Sequence, residues 1–197
     1  MATALILGSS SRYRRALLER LGIAFECVSP EVDETPRDGE APAVLAARLA
    51  RPKAEAVAAA RPGTLVIGAD QVAELDGAAL GKPGTEARAQ AQLAACSGRS
   101  VLFHTAICVL GPGGFAYEHT DLTVVRFRNL DDAEIRAYVG REQPLDCAGA
   151  FRCEGLGIAL FDAVENRDPT ALIGLPLIAV SAALSRAGLS PLGDAAY

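Results

Sequence analysis

Serines and arginines follow the first apolar run of the chain, and their side chains are donors that suit an anion. Leu5–Leu7 ends at Gly8, and Ser9–Arg15 then leads into an amphipathic stretch. Where a strand ends at the start of a helix, backbone N–H groups are unpaired and a partial positive charge favours phosphate. Hydroxyl and guanidinium groups add to that binding capacity. Tyr13 is the exception within the segment, because a phosphate needs no aromatic ring, whereas a nucleobase can stack on one.

Further cations and carboxylates occur at predicted loop or helix positions. Lys53 and Lys82 extend the set of cations, and Asp33, Glu34 and Asp70 supply carboxylates. Asp70 comes just after the end of an apolar strand pattern, where open α/β sheets place their ligands. Cations can neutralise phosphates, and carboxylates can hold Mg²⁺ or orient an attacking water, so this set suits a Mg²⁺–polyphosphate site. Each of these residues taken alone also fits a turn or a solvated surface.

Motifs of several other enzyme classes are missing from the sequence. There is no GxxxxGK[ST], which excludes a P-loop, and no GxSxG, which excludes the nucleophile elbow of α/β-hydrolases. No group of His, Cys or carboxylate residues has the spacing of zinc ligands. His104 and His119 fall within strand patterns, and we interpret both as structural.

Composition limits the size, partners and location of the protein. The 197 residues, half of them hydrophobic, suit one large domain or two small lobes around a shared sheet, and we treat 1–197 as one functional unit. A net charge of −5 argues against nucleic-acid polymers as partners. Five cysteines without a CxxC pair indicate reduced thiols and a cytoplasmic protein. We see no signal peptide and no apolar stretch of the roughly 18 residues that a membrane span needs.

The elements that must position the candidate residues alternate between strand and helix at first and become hairpins later, which predicts a mixed α/β or α+β chain. Apolar runs and alternation predict the following strands: Leu5–Leu7, Phe25–Ser29, Leu65–Ile67, Val72–Leu75, Ala78–Leu80, Val101–Leu110, Phe115–Phe127 and Ile158–Phe161. Helical patterns and caps predict helices that start at Ser11, Pro42, Thr85, Asp131 and Pro176 and end at Leu21, Ala60, Cys96, Val139 and Ala187.

Local signals add detail to this outline. Asp76-Gly77 predicts a type I′ hairpin turn, and Gly111–Gly114 predicts a second hairpin. Asp131 and Glu134 have the spacing of a capping box. Pro52 lacks an N–H and should clash with the carbonyl four residues earlier, so we expect a kink or break in the second helix just before Lys53.

Seven ordered blocks of the sequence together resemble the Maf family of nucleoside triphosphate pyrophosphatases, from about Leu5 to about Leu192. The resemblance implies an elongated, two-lobed α/β fold of the ITPase-like kind with a cleft. It also implies hydrolysis between the α- and β-phosphates of a nucleotide, a divalent cation (Mg²⁺ or Mn²⁺), and a cytoplasmic protein that is often a homodimer. The blocks are Ser9–Arg15, Pro30–Glu34, Arg48–Lys53, Gly68–Gln71, Gly81–Pro83, Leu145–Gly149 and Gly174–Pro176.

The resemblance assigns roles to individual residues. Asp70 is the expected proton acceptor that activates water, and Glu34 is the expected ligand of the metal or the water, with Asp70 as a second metal ligand. Lys82 is expected to act in catalysis and on the phosphates. The remaining phosphate binders implied by the family pattern are Ser9, Arg14, Arg15 and Lys53.

Three positions resemble the YceF-like branch of the family, which acts on 7-methyl-GTP. They are Tyr13, Gln71 and Glu154, the last within Phe151–Gly155. Methylation at N7 makes guanine cationic, so an aromatic ring over the base adds a cation–π term of about 0.5–2 kcal/mol. A carboxylate can accept from the N1–H and N2–H edge of guanine.

The chain departs from the family pattern, and other functions remain open. Arg12 stands where the family usually has proline, Tyr13 stands where this branch usually has tryptophan, and Pro52 lies next to Lys53. The first alternative to 7-methyl-GTP hydrolysis is the same reaction on dTTP, UTP or other modified nucleotides. The second is a nucleotide-binding regulator of cell division with little turnover, against which Asp70 and Lys82 argue.

Overall fold

The computed structural model describes residues 3–193 and has a mixed α/β architecture, as predicted. Within that range, seven strands form one sheet in the order β2-β1-β3-β5-β6-β7, with β4 beside β3. The strands are β1 Leu5–Gly8, β2 Phe25–Val28, β3 Leu65–Leu75, β4 Ala78–Leu80, β5 Ser100–Leu110, β6 Ala116–Phe127 and β7 Phe161–Glu165. The α-helices are α1 Arg12–Glu19, α2 Pro42–Ala60, α3 Glu86–Cys96, α4 Asp132–Glu142 and α5 Leu177–Arg186.

The long strand β3 joins a parallel part of the sheet to an antiparallel part. Along one edge its residues 65–68 run parallel to β1, with Gly8 opposite Gly68, and along the other edge its residues 66–74 run antiparallel to β5. The prediction that two separate strands flank Asp70 is therefore wrong, because Asp70 lies inside β3 and pairs with Ala106. It does lie beyond the last residue that pairs with β1. A charged residue interrupted the apolar pattern here without ending the strand, because the ladder to β5 continues past it.

The turns predicted from short motifs are confirmed. Asp76 and Gly77 both have positive φ, 50° and 82°, which the type I′ turn between β3 and β4 requires. The β5–β6 hairpin closes over Gly111–Gly114, with a 3₁₀ turn at its tip. These connections depend on residues next to each other in the chain, and local sequence is therefore enough to define them.

Of the kink or break expected at Pro52, the break is wrong, because α2 is one helix from Pro42 to Ala60, and the kink stays a prediction. Its buried face packs on β3, where Gly68 lets the helix backbone come close: a Cβ at Gly68 would lie 2.3 Å from Ala50 O and 2.5 Å from Ala54 N. Packing at this short distance offsets the hydrogen bond that proline removes. The helix therefore delivers Lys53 to the sheet without interruption.

Other element boundaries differ from prediction by small amounts, with one exception. Helix α1 starts at its Ser11 cap as predicted, and α4 has the predicted capping box but runs three residues past Val139 to Glu142. The predicted strand Ile158–Phe161 is wrong, since Leu156–Leu160 is a 3₁₀ segment and the strand is β7. β7 has no apolar run to reveal it, because its side chains are half-buried or exposed.

Apolar side chains form a core on both faces of the sheet. One cluster packs α3 and α4 on the sheet, a second packs α1 and α5, and a third packs α2. Among residues 3–193, no helix is both long and apolar enough to cross a membrane. The two-lobed division remains a prediction, and the ends of the predicted 1–197 domain lie outside the described residues.

Candidate active site

A cleft of about 920 Å³ opens beyond the end of β1, beside the outer half of β3. The strand–helix junction after β1, the buried face of α2 and the loop after β4 all contribute to its walls. The segment after α4 closes another side. Residues far apart in the sequence therefore meet at one opening of the sheet, where β1 ends and β3 continues.

Arg14 is fixed in the cleft wall by main-chain carbonyl groups. Its Nε donates to Gly174 O at 2.9 Å, and its Nη1 donates to Ala69 O at 2.9 Å. Nη1 also lies 3.4 Å from the hydroxyl of Ser9, a buried residue that accepts from Ser11 N at 3.1 Å. Burial lowers the pKa of Arg14, although the charges of Asp70 and Glu34 oppose that effect. The guanidinium is thus held in place before any ligand binds.

The Lys53 ammonium lies between two carboxylates. Its Nζ is 2.7 Å from Asp70 Oδ1 and 2.7 Å from Glu34 Oε1. Lys53 and Asp70 are only 6% and 7% exposed, whereas Glu34 is exposed on its loop. Burial raises the pKa of Asp70 above its usual value, and Lys53 and Arg14 partly offset this rise. A buried carboxylate with a raised pKa accepts a proton more readily than a carboxylate in water.

The same two carboxylates could share a divalent cation. No group of three or more His, Cys, Asp or Glu side chains within residues 3–193 forms a metal site. Mg²⁺ commonly binds through one or two protein carboxylates and completes its shell with substrate phosphates and water. Because Asp70 and Glu34 converge on one point, occupied by Lys53 Nζ, they fit a cation of that kind.

Two predicted phosphate binders differ in their relation to the cleft. Lys82 is exposed in the loop after β4 and lines the opening. Arg15 is exposed on α1, outside the cleft, where its Nε lies 3.0 Å from Glu19 Oε1. Arg12, Tyr13 and Arg14 line the cleft, and the next residue along the helix turns to the outer side of α1. The structure thus brings Arg14 into the cleft and leaves Arg15 out.

Tyr13 lies on the cleft wall with a guanidinium over its ring. The Cζ of Arg12 is 4.7 Å from the ring centroid, and Arg12 Nη2 donates to the Tyr13 hydroxyl at 2.7 Å. Arg12 also approaches Asp146 at 3.8 Å. Arg12, which has no counterpart in the family pattern, thus rests on the aromatic side chain predicted to stack on the base.

Gln71 is bound to the protein itself. Its Nε2 donates to Thr105 Oγ1 at 2.9 Å and to the carbonyl groups of Ala171 and Leu172, each at 3.0 Å. These bonds tie β3 and β5 to the 3₁₀ segment Ala171–Ile173. This nitrogen is therefore not available for the predicted contact with the base.

Glu154 is exposed on the cleft wall, within a segment that α4 holds in place. Neighbouring Cys153 and the nearby Cys147 also line the cleft, and burial raises the pKa of each thiol to about 12. Both thiols are therefore protonated near neutral pH and poor nucleophiles. All five cysteines are free, as predicted.

Sequence reasoning missed two ion pairs around the site. Arg48 Nη2 donates to Glu40 Oε2 at 2.7 Å and to Thr35 O at 3.1 Å, which ties the loop that carries Glu34 to α2. Glu142 binds Arg152 on the opposite wall. Partners eight and ten residues apart across a loop follow no helix or strand period, so no local signal could have revealed them.

The fold and the cleft together define an α/β protein with a cationic, carboxylate-containing site suited to phosphates. A family model described as "Maf-like protein" matches residues 4–187. A protein of Xanthomonas oryzae pv. oryzae named "7-methyl-GTP pyrophosphatase" is 59% identical over 188 residues, 95% of this chain and 98% of its own. One of the same name from Burkholderia lata is 58% identical over 93% of this chain and 89% of its own. The chain belongs to the Maf family.

Two solved structures show a weaker likeness. A nucleoside-triphosphatase described as a dITP/XTP pyrophosphatase from Mycobacterium abscessus is 18% identical, with a TM-score of 0.41 over 65% of this chain and 76% of that chain. The Ham1 protein of Staphylococcus aureus is 16% identical, with a TM-score of 0.46 over 64% of this chain and 72% of that chain. The family assignment rests on the family model and the curated relatives.

Proposed function

We propose that this protein is a nucleoside triphosphate pyrophosphatase that hydrolyses 7-methyl-GTP to 7-methyl-GMP and pyrophosphate. The observation that carries the proposal is the buried Lys53–Asp70 pair, with Glu34 on the same ammonium, in a cleft that also holds Arg14. The curated relatives named 7-methyl-GTP pyrophosphatase, 59% identical in one case, support the choice of substrate.

Asp70 is the proposed proton acceptor. A water that attacks the α-phosphorus loses its proton to the Asp70 carboxylate as the new P–O bond forms. The bond between the α-phosphorus and the bridging oxygen breaks, and its electrons leave with pyrophosphate. The raised pKa of Asp70 supports this role, because it brings the carboxyl closer to the pH at which proton transfer is effective.

Cations around the cleft are proposed to stabilise the charge that develops on the leaving group. Arg14 is already oriented by main-chain carbonyl groups, so its binding to phosphate costs little reorganisation, whereas Lys53 would exchange carboxylate partners for phosphate oxygens. Ser9 adds a hydroxyl at the start of α1, and Lys82 can reach the phosphates from the rim. We do not assign Arg15 to this group, because it lies outside the cleft.

A divalent cation, Mg²⁺ or Mn²⁺, is part of the proposal. Asp70 and Glu34 would hold it, with Lys53 moving toward the phosphates. When bound, the cation neutralises phosphate charge and polarises water. We also expect a cytoplasmic enzyme, which the free thiols support, and the homodimer stays a prediction.

The base is proposed to bind between Tyr13 and Glu154, both of which line the cleft. The aromatic ring and the carboxylate each favour a cationic base, and the carboxylate can accept from the guanine edge. Gln71 contributes to this wall as a structural residue, since its amide nitrogen is bound to the chain.

A substrate panel tests the proposal. Release of pyrophosphate is measured from 7-methyl-GTP, GTP, dTTP and UTP with Mg²⁺ or Mn²⁺. We expect 7-methyl-GTP to give the highest kcat/KM. Higher kcat/KM for dTTP or UTP would disprove the substrate, and tight nucleotide binding without pyrophosphate release would disprove the reaction.

The variant Glu154→Gln tests base recognition directly. We expect the preference for 7-methyl-GTP over GTP to fall by about tenfold, since a charge-assisted hydrogen bond becomes a neutral one. The measurement is the ratio of the two kcat/KM values. Glu165→Gln, at an exposed ion pair on β7, is the matched control and should leave the ratio unchanged. An unchanged ratio in Glu154→Gln would remove Glu154 from the base site.

A further inference from the structure

The segment that carries Glu154 is fixed at both ends. Phe151 packs edge-on against Phe103 and Phe161, with ring centroids 5.2 Å and 4.7 Å away. Arg152 N donates to the Tyr138 hydroxyl at 3.1 Å, and Leu156 N donates to Glu142 Oε2 at 3.1 Å. Glu154 itself stays exposed between these anchors.

Glu142, at the end of α4, binds this segment through both of its carboxylate oxygens. Besides Leu156 N, its carboxylate binds Arg152, whose Nε lies 2.8 Å from Oε1 and whose Nη2 contacts the same oxygen. The Glu142 side chain is only 10% exposed. The chain also passes close to it at Gly155, where a Cβ would lie 2.5 Å from Oε1. A larger residue at this position would displace the carboxylate.

Arg152 poses an electrostatic problem for a cationic base. It lines the cleft, as Tyr13 does. A free guanidinium here would repel 7-methylguanine and could pair with Glu154, two residues away. Binding to Glu142 neutralises the cation and holds it on the α4 side.

We propose that Glu142 is a positioning residue of the base subsite: it holds the 152–156 segment and restrains Arg152, so that Glu154 keeps an unpaired negative charge facing the cleft. The proposal rests on the proposed function. The proposal explains how an exposed carboxylate on a loop can recognise a base. Glu142, at the end of α4, holds the segment on both sides of Glu154 and keeps the nearby Arg152 cation from pairing with it.

Glu142→Gln tests the proposal through base selectivity. We expect the ratio of kcat/KM for 7-methyl-GTP to that for GTP to fall about tenfold, mainly through a higher KM for 7-methyl-GTP. Glu134→Gln is the matched control, because it neutralises the carboxylate of another Glu–Arg pair, at the opposite end of α4. That control should lower thermal stability and leave the ratio unchanged. An unchanged ratio in folded Glu142→Gln, or an equal fall in the control, would overturn the proposal.

The double variant Glu142→Gln/Arg152→Gln tests the electrostatic part. Removing the released cation should restore most of the lost selectivity, whereas a loss as large as in Glu142→Gln alone would contradict the proposal. If Glu142→Gln folds poorly, Glu142→Asp gives the same comparison, since the shorter side chain cannot hold Arg152 and Leu156 N together. A wild-type enzyme without preference for 7-methyl-GTP over GTP would disprove the proposed substrate instead, so the two failures are distinguishable.

Discussion

Burial changes the chemical properties of the Lys53–Asp70 ion pair. Each would be an ordinary surface group in water, but the sheet and α2 remove both from solvent and place them 2.7 Å apart. Removing one partner of such a pair leaves an uncompensated buried charge, which is costly. The pair therefore stabilises the site in the free protein and can be rearranged when phosphates supply other partners for the lysine.

Asp70→Asn tests the proton-acceptor role. The amide keeps the shape of the carboxylate but cannot take a proton, so pyrophosphate release should fall at least about 100-fold. Nucleotide affinity, measured by titration, should remain within a few-fold because Arg14 and Lys53 are retained. Activity close to that of the wild type would mean that another group accepts the proton.

Arg12→Ala tests the cation that rests on Tyr13. Arg12 and the cationic base would compete for the same aromatic ring. Removing Arg12 should therefore lower the KM for 7-methyl-GTP about two- to fivefold, the range of an exposed cation–π contact. Arg20→Ala, an exposed arginine at the far end of α1, is the control. A higher KM in Arg12→Ala would instead indicate that Arg12 contacts the substrate phosphates.

At the scale of elements, the contact between α2 and β3 decides where Lys53 points. The helix carries an internal proline yet stays continuous, because its backbone fits closely against a glycine of the strand. Gly8, at the end of β1, also lies against α2, with a Cβ position 3.2 Å from Lys53 O. Small residues on the two parallel strands thus allow the helix to carry a buried lysine to the sheet.

Gly68→Ala tests this contact. Its Cβ would meet backbone atoms of α2, which cannot rotate away, so we expect a loss of about 3 kcal/mol or more in the free energy of unfolding. Gly140→Ala, within α4 and with open space around it, should instead be neutral or stabilise by up to about 1 kcal/mol. Denaturant titration of both variants measures the difference. Equal stability of the two variants would contradict this account of the α2–β3 packing.

At the scale of the whole molecule, the loop with Glu34 depends on an ion pair that titrates in acid. The side-chain hydrogen bond from Arg48 lowers the pKa of Glu40 to about 2. A carboxylate with a lowered pKa in the folded state contributes stability above its unfolded pKa, near 4.5, and that contribution is lost as the pH falls toward 2. Acid should therefore weaken the attachment of this loop to α2 and, with it, the fold.

Glu40→Gln tests this linkage by thermal unfolding at several pH values. At pH 7 the variant should unfold at a lower temperature than the wild type, and the gap should shrink between about pH 4.5 and pH 2. Glu55→Gln, at an exposed i,i+4 pair with Arg51, should change the midpoint little. A gap that stays constant down to pH 2 would show that the Glu40 charge is not what holds the loop.

Much of the fold could be predicted from short-range signals. The Ser11 cap, the Asp131–Glu134 capping box and the Asp76-Gly77 turn depend on residues within about four positions of each other, and all three are confirmed. The strand through Asp70 and the helix through Pro52 could not be predicted. In both, contacts with a neighbouring element outweigh the local preference of one residue.

The sequence by itself determined which residue types were present for phosphate chemistry, and that a strand–helix junction would hold some of them. Only the tertiary structure decided that Lys53 lies between Asp70 and Glu34, that Arg15 faces away, and that Glu142 restrains Arg152. The physical reason is the distance along the sequence between the residues that interact. Helix caps and turns are set by neighbours in the chain, whereas the Arg14–Gly174 contact spans 160 residues and exists only once the core has packed.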